Sequence, residues 1–290
     1  MLFANGLILG LRLAGFTPAV FGVSGNELVF DVRHGLVGGL FIVLKFAVML
    51  AVGLALMKGL YGAGPRAVGL TRGGHSLLAL GARGAVLASF AALPWLVLMT
   101  ANSVLGFGQG VAGWELVEQA PKNLGFVVAV LATMVIVPPI MEECTMRGYL
   151  RARLHIAFGP IGAALISAVI FVFAHGHFYG LDVVLIGSQL AFVFAFAVLA
   201  YDTWRSGSVL PAIVAHALIN VPFPRSTPGM ATALALAAVV TLIGRRAIFA
   251  ELAQARADWA QTQAKAGVLL WCAIAAALMI ATVLYLPLAA

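Results

Sequence analysis

Six polar side chains stand in stretches otherwise too apolar to hold them. Glu142 and Glu143 follow the run Val135 to Met141, and His175 and His177 end the run Val169 to Ala174. His216 and Asn220 lie inside Pro211 to Asn220. Ionisable groups in such surroundings cost a few kcal/mol on membrane-insertion scales, so each is a functional candidate. Carboxylates and imidazoles move protons, and imidazoles and amides donate hydrogen bonds to developing negative charge, which is what peptide hydrolysis by an activated water requires. A side-chain nucleophile is missing from this set: Ser167, Ser188 and Cys144 have no base specified by spacing.

Helix periodicity sorts these residues. Glu142 and Glu143 leave a helix about 100° apart, which predicts that they do not aim at one point. Glu143 and Arg147 are four apart with the acid first, the favourable order for an ion pair on one face. Glu143 is therefore expected to be held by Arg147, with Glu142 projecting into the bundle. His216 and Asn220 are also four apart, as are Phe171 and His175, so each pair shares a face. For Glu142 to reach the depth of the two histidines, its helix must continue past Met141 to about Arg153, and Pro138-Pro139 should kink it on the way.

The elements that carry these residues follow from composition. Of 290 residues, 63% are hydrophobic and 9% charged, and the mean hydropathy is +1.07. A soluble domain carries about 25% charged residues, so the chain reads as an all-α polytopic membrane protein of one domain, with an active-site cavity inside the helix bundle. About eight transmembrane helices are expected, near 36–57, 84–101, 124–141, 160–178, 183–201, 208–221, 229–244 and 266–288. Residues 1–35 form an N-terminal apolar segment, whose first 22 residues, with Arg12 at their middle, suggest an interfacial helix, with a ninth span as the alternative. Residues 36–290 form the transmembrane domain.

Net charge is +7, yet its distribution argues for topology and against a nucleic-acid partner. Lys58, Arg66, Arg72 and Arg83, then Arg147, Arg151 and Arg153, then Arg205, then Arg245, Arg246, Arg256 and Lys265 fall in one set of alternating loops. Arg12, Arg33, Lys122 and Arg225 fall in the other. The positive-inside rule places the richer set in the cytoplasm. Arg245 to Lys265 reads as a cytoplasmic extension of a helix. Two cysteines inside apolar runs offer neither a disulfide framework nor metal-ligand spacing.

Three strings together resemble a known family. Glu142-Glu143-Cys144-Thr145-Met146-Arg147 is similar to the EExxxR motif of the CAAX prenyl endopeptidase and bacteriocin-processing family (CPBP, or Abi). Phe171 to His175 is similar to its FxxxH motif, and His216 to Asn220 to its HxxxN motif. Gly148 and Gly207-Ser208 also resemble the family pattern, over a core of about 124–222. Cys144 and Thr145 depart from it, as do Ala195, Ala197 and Ala200, which stand where glycines are usual.

The resemblance implies an intramembrane endopeptidase acting on a peptide or membrane-associated substrate, and the basic residues near the membrane with the short loops suggest a bacterial plasma membrane. It implies that Glu142 and His175 orient and deprotonate the water and that His216 and Asn220 donate to the oxyanion, with Glu143, Arg147 and Phe171 in support. Whether a divalent metal such as zinc takes part is left open; Glu142, His175 and His216 would be its ligands. The alternatives are a non-catalytic scaffold or immunity-type binding protein and a proton-coupled transporter. The second is disfavoured because no internal repeat is visible.

Overall fold

The computed structural model describes residues 22–24, 27–29, parts of 44–62, 64–108, 135–173, 182–221, 226–262 and 265–285. Contacts divide the chain into two units, 1–63 with 114–141, and 64–113 with 142–290. The first unit holds helical residues at 50–55 and a short antiparallel ribbon, β1 (Gly22–Ser24) and β2 (Glu27–Val29), with Ser24 opposite Glu27. The ribbon is the one exception to the helical expectation among the described residues. Its local cause is Gly25-Asn26 between the strands, residue types suited to a two-residue hairpin loop. The expected interfacial helix at the N-terminus lies outside the described residues.

The remaining elements are helices: α1 (Leu77–Leu105), α2 (Val137–Glu143), α3 (Arg151–Phe173), α4 (Val183–Ser206), α5 (Leu210–Ile219), α6 (Thr227–Gln261) and α7 (Lys265–Tyr285). Four helical stretches are long and apolar enough to cross a membrane: Leu77–Leu105, Val137–Val172, Val183–Ser206 and Thr227–Gln261. Helix α5 and the start of α7 are apolar but shorter. The described residues therefore support a helical membrane protein and do not reach a count of eight spans. The expected span 36–57 is described only in part, and 124–134 lies outside.

Capping residues set the ends. Ser76 Oγ accepts from Ala79 N–H at 3.1 Å to start α1, and Gly106, at φ 63°, ends it. Asp182 caps α4 by accepting from the N–H groups of Val184 and Leu185. The continuation of Glu142's helix is present: α2 passes through a π-helical turn (Cys144–Leu150) directly into α3. The run breaks at Gly159, whose φ of 66° and ψ of −177° are non-helical, and it resumes at Pro160, which has no N–H to donate. Helix α6 continues well past its apolar half, as the charged stretch from Arg245 suggested.

Small residues let the helices of the second unit approach closely. Ala163, Ala168, Ala200, Ala212 and Ala215 are fully buried, the side-chain type that favours helix packing where lipid removes the hydrophobic drive. Helix α1 crosses α5 at Gly84, where a Cβ would lie 2.7 Å from Val214 Cβ and 2.8 Å from the Pro211 carbonyl. At one end of the bundle, Arg83 of α1 donates to Asp202 of α4 (Nε to Oδ1, 2.7 Å) and to Glu251 of α6 (3.2 Å). Arg205 also donates to Glu251 at 3.2 Å, and Tyr201 Oη donates to Asp258 at 2.6 Å. Arg83 and Arg205, read from sequence as topology charges, thus also tie three helices together.

Gly81 and Gly84 give an internal control, since a Cβ at Gly81 meets nothing within 4 Å among the described residues. Gly81→Ala is expected to stabilise by about 0.5–1 kcal/mol through helix propensity. Gly84→Ala is expected to destabilise by about 1–3 kcal/mol through overpacking. Thermal unfolding of the purified protein in detergent separates the two.

Candidate active site

Glu143 and Arg147 are the most deeply buried charged residues of the second unit, with no exposed side-chain surface. Glu143 is the last residue of α2, and Arg147 lies in the π-helical turn that follows, where the Arg151 N–H reaches the Met146 carbonyl five residues back. Such turns widen a helix locally and recur at functional sites. Arg147 Nε stands 3.2 Å from Glu143 Oε2, the pairing that the four-residue spacing predicted. The guanidinium lies between two aromatic faces, 4.4 Å from the ring centre of Phe171 and 4.5 Å from that of Phe196. Desolvated cation–π contacts of this kind contribute about 2 kcal/mol each. They take the place of hydrogen bonds, because the terminal nitrogens of Arg147 find no acceptor among the described residues.

Arg147 therefore leaves the set of cytoplasmic loop charges in which its sequence position placed it. Its chain is helical there, and the adjacent carboxylate compensates its charge.

The other oxygen of Glu143 accepts from His216 Nδ1 at 2.8 Å. A carboxylate only accepts, so Nδ1 carries the proton and Nε2 faces away from Glu143. Across the ring, Nε2 stands 3.7 Å from Glu142 Oε2. The two carboxylates thus converge on opposite edges of one imidazole, against the expectation from their 100° separation. That angle fixes where the Cβ atoms leave the helix, whereas two methylenes let each carboxylate swing back toward a ring placed between them. Glu142 keeps 18% of its side chain exposed and is the accessible member. The imidazole meets Phe171 and Phe196 edge to face, at centroid distances of 5.6 and 4.9 Å.

A short loop holds the two halves of this cluster in register. Residues Pro65–Val68 form a 3-10 turn packed against the π-helical segment. A Cβ at Gly148 would overlap the Val68 carbonyl, so only glycine permits this approach. The same loop binds the start of α5: Val209 N–H donates to the Gly69 carbonyl at 2.9 Å, and Ser208 Oγ donates to the Thr71 carbonyl at 2.6 Å. Ser208 Oγ also accepts from Leu210 N–H at 3.2 Å. Gly207, at φ 65°, ends α4 just before this clamp. The glycines and serine that looked like family pattern have backbone reasons here.

Of the residues singled out from sequence, Glu142, Glu143, Arg147, Phe171 and His216 come together. Asn220 sits at the C-terminal end of α5, half-buried, one turn beyond His216, with its N–H on the His216 carbonyl. His175 and His177 lie outside the described residues, so the expected pairing of Glu142 with His175 is not on view. Ser167 Oγ donates to the Ala164 carbonyl of its own helix, and Cys144 is buried. Among the described residues no group of three or more His, Cys, Asp or Glu is placed to hold a metal ion. Sequence reasoning missed Phe196, one apolar residue among many in α4. It also missed Asp202, for which an acid inside an apolar run was an available signal.

An apolar helical bundle with a buried carboxylate–guanidinium–imidazole cluster defines the broad class as a helical membrane protein with a candidate hydrolytic centre. Residues 123–222 match the family model for type II CAAX prenyl endopeptidase Rce1-like proteins, which agrees with the CPBP resemblance of the three motifs. The match covers about a third of the chain and includes every residue of the cluster. No curated protein and no solved structure matches the chain significantly.

Breaking the buried pair should be costly. Arg147→Met is expected to destabilise by about 3–5 kcal/mol by leaving Glu143 uncompensated. Adding Glu143→Gln should recover part of that loss. A double-mutant cycle on thermal unfolding measures the coupling.

Proposed function

We propose that the chain is an intramembrane endopeptidase that hydrolyses a peptide bond of a peptide or membrane-associated substrate with an activated water. The observation that carries this reading is the graded exposure of the two glutamates around His216. Glu143 is sealed by Arg147 and His216, whereas Glu142, on the other edge of the same imidazole, stays accessible. The similarity to a protease family over 123–222 supports it.

In this mechanism Glu142 takes a proton from water as oxygen attacks the carbonyl carbon, and the same proton passes to the leaving amine as the C–N bond breaks. His175 is assigned to orient the water from the end of its helix. His216 is assigned, with Asn220, to donate to the developing oxyanion from Nε2, which it does as the imidazolium, its Nδ1–H held by Glu143 and its Nε2–H turned to the oxyanion. Fixed donors at such a position contribute about 2.7–4 kcal/mol each. Glu143 and Arg147 position the imidazole and do not touch substrate.

A zinc ion held by Glu142, His175 and His216 is the alternative way to activate the water. Glu142 Oε2 and His216 Nε2, 3.7 Å apart, are compatible with a shared ion. When bound, zinc would lower the pKa of its water. The substrate would enter from the bilayer or its cytoplasmic face, with the basic loops cytoplasmic, in a bacterial plasma membrane.

Glu142→Gln is expected to lower cleavage of a membrane-borne peptide library by about 10²–10⁴-fold, the usual worth of a general base, while leaving thermal stability close to the parent's. Glu143→Gln should lower both. Parent-like turnover by Glu142→Gln would overturn the proteolytic reading and favour a binding role. A chelator series on the same preparation distinguishes the two water-activating arrangements: loss of activity restored by zinc identifies the metal form, and unchanged activity the glutamate form.

A further inference from the structure

A cavity of about 560 Å³ lies between α1, α3, α4 and α6. Among the described residues, Glu142, Glu143, Arg147, Phe171, His216 and Asn220 do not line it. Its size falls within the roughly 300–1,000 Å³ of small-molecule sites. It follows α1 from Ala79 to Phe90, about 16 Å at the helical rise. Most of the wall is apolar, with Leu87, Phe90, Leu165 and Phe194 along it. Ala197 and Ala247 contribute space where larger side chains would fill it.

The polar part of the lining carries Arg83, Asp202 and Glu251, together with His75, Tyr201 and Ser206. Asp202 is 97% buried there, its residual exposure being 3%. Its Oδ1 receives both contacts from Arg83, while Oδ2 is buried without a hydrogen-bond partner among the described residues. An unsatisfied buried carboxylate oxygen costs about 1–3 kcal/mol or more, and in a cavity wall it favours a ligand that donates. The surrounding charges already balance, Arg83 and Arg205 against Asp202 and Glu251. A cationic head would bring an uncompensated charge, and an anionic head would oppose Oδ2 with no proton to give.

We infer that this cavity binds a single-chain lipid with a neutral hydroxyl head, the hydroxyl donating to Asp202 Oδ2 and the alkyl chain lying along α1 toward Phe90. The inference does not rest on the proteolytic reading.

The test uses the full chain in phosphatidylcholine nanodiscs doped separately with 1-monooleoylglycerol, methyl oleate or oleic acid, with bound lipid counted by native mass spectrometry after release. One monooleoylglycerol adduct is expected, favoured over the other two by about tenfold or more, the worth of one hydrogen bond to a charged acceptor. Ala247→Phe and, independently, Ala197→Phe should abolish it. Asp202→Asn should remove the preference over methyl oleate. Equal adducts from all three probes, phosphatidylcholine adducts alone, or undiminished binding in a folded Ala247→Phe or Ala197→Phe protein would each overturn the inference. The comparison of head groups needs only the parent protein, so it decides the question even if a variant fails to fold.

Discussion

A guanidinium buried between two phenylalanine rings is the constraint on which the candidate site depends. Arg147 could not remain there as an isolated charge, because removing an ion from water costs several kcal/mol even after relaxation. Glu143 supplies the counter-charge, and Phe171 and Phe196 supply polarisable faces. Once Glu143 is fixed by the arginine, its second oxygen can fix His216. The orientation of the imidazole is therefore set, through Glu143, by the arginine that fixes that carboxylate. Rigid placement of this kind lets donors act on charge that develops during reaction without first reorganising.

The scaffold around this cluster relies more on close backbone approach than on large apolar side chains. Helix α1 meets α5 through Gly84, and the π-helical segment meets the 65–68 turn through Gly148. Fully buried alanines continue the pattern in α3, α4 and α5. In a bilayer, lipid tails are as apolar as leucine, so association must come from tight packing and polar contacts. The Arg83–Asp202–Glu251 junction is the polar counterpart at one end of the bundle.

The parts legible in the sequence were those with short-range causes. Buried charge stands out against an apolar background, which marked Glu142, Glu143, Arg147 and His216. Four-residue periodicity is a local property, so the Glu143–Arg147 pair could be read directly. Contacts between distant residues were not legible: Glu143 and His216 are 73 positions apart, and Arg83 and Asp202 are 119 apart. Phe196 carried no local mark, because its importance comes from the arginine it covers. The convergence of both glutamates on one ring was misread because helix angle describes a backbone direction and not the reach of a long side chain.

The loop at 65–71 carries a consequence for how the chain can vary. Three of its contacts to the site are made by its own carbonyl groups, those of Val68, Gly69 and Thr71. A single inserted or deleted residue displaces all of them relative to Gly148 and Ser208. The loop is thus constrained in length, and in composition at buried Val68 and at Gly69, whose φ of 76° favours glycine. It acts as a ruler that sets the spacing between the glutamates and the histidine.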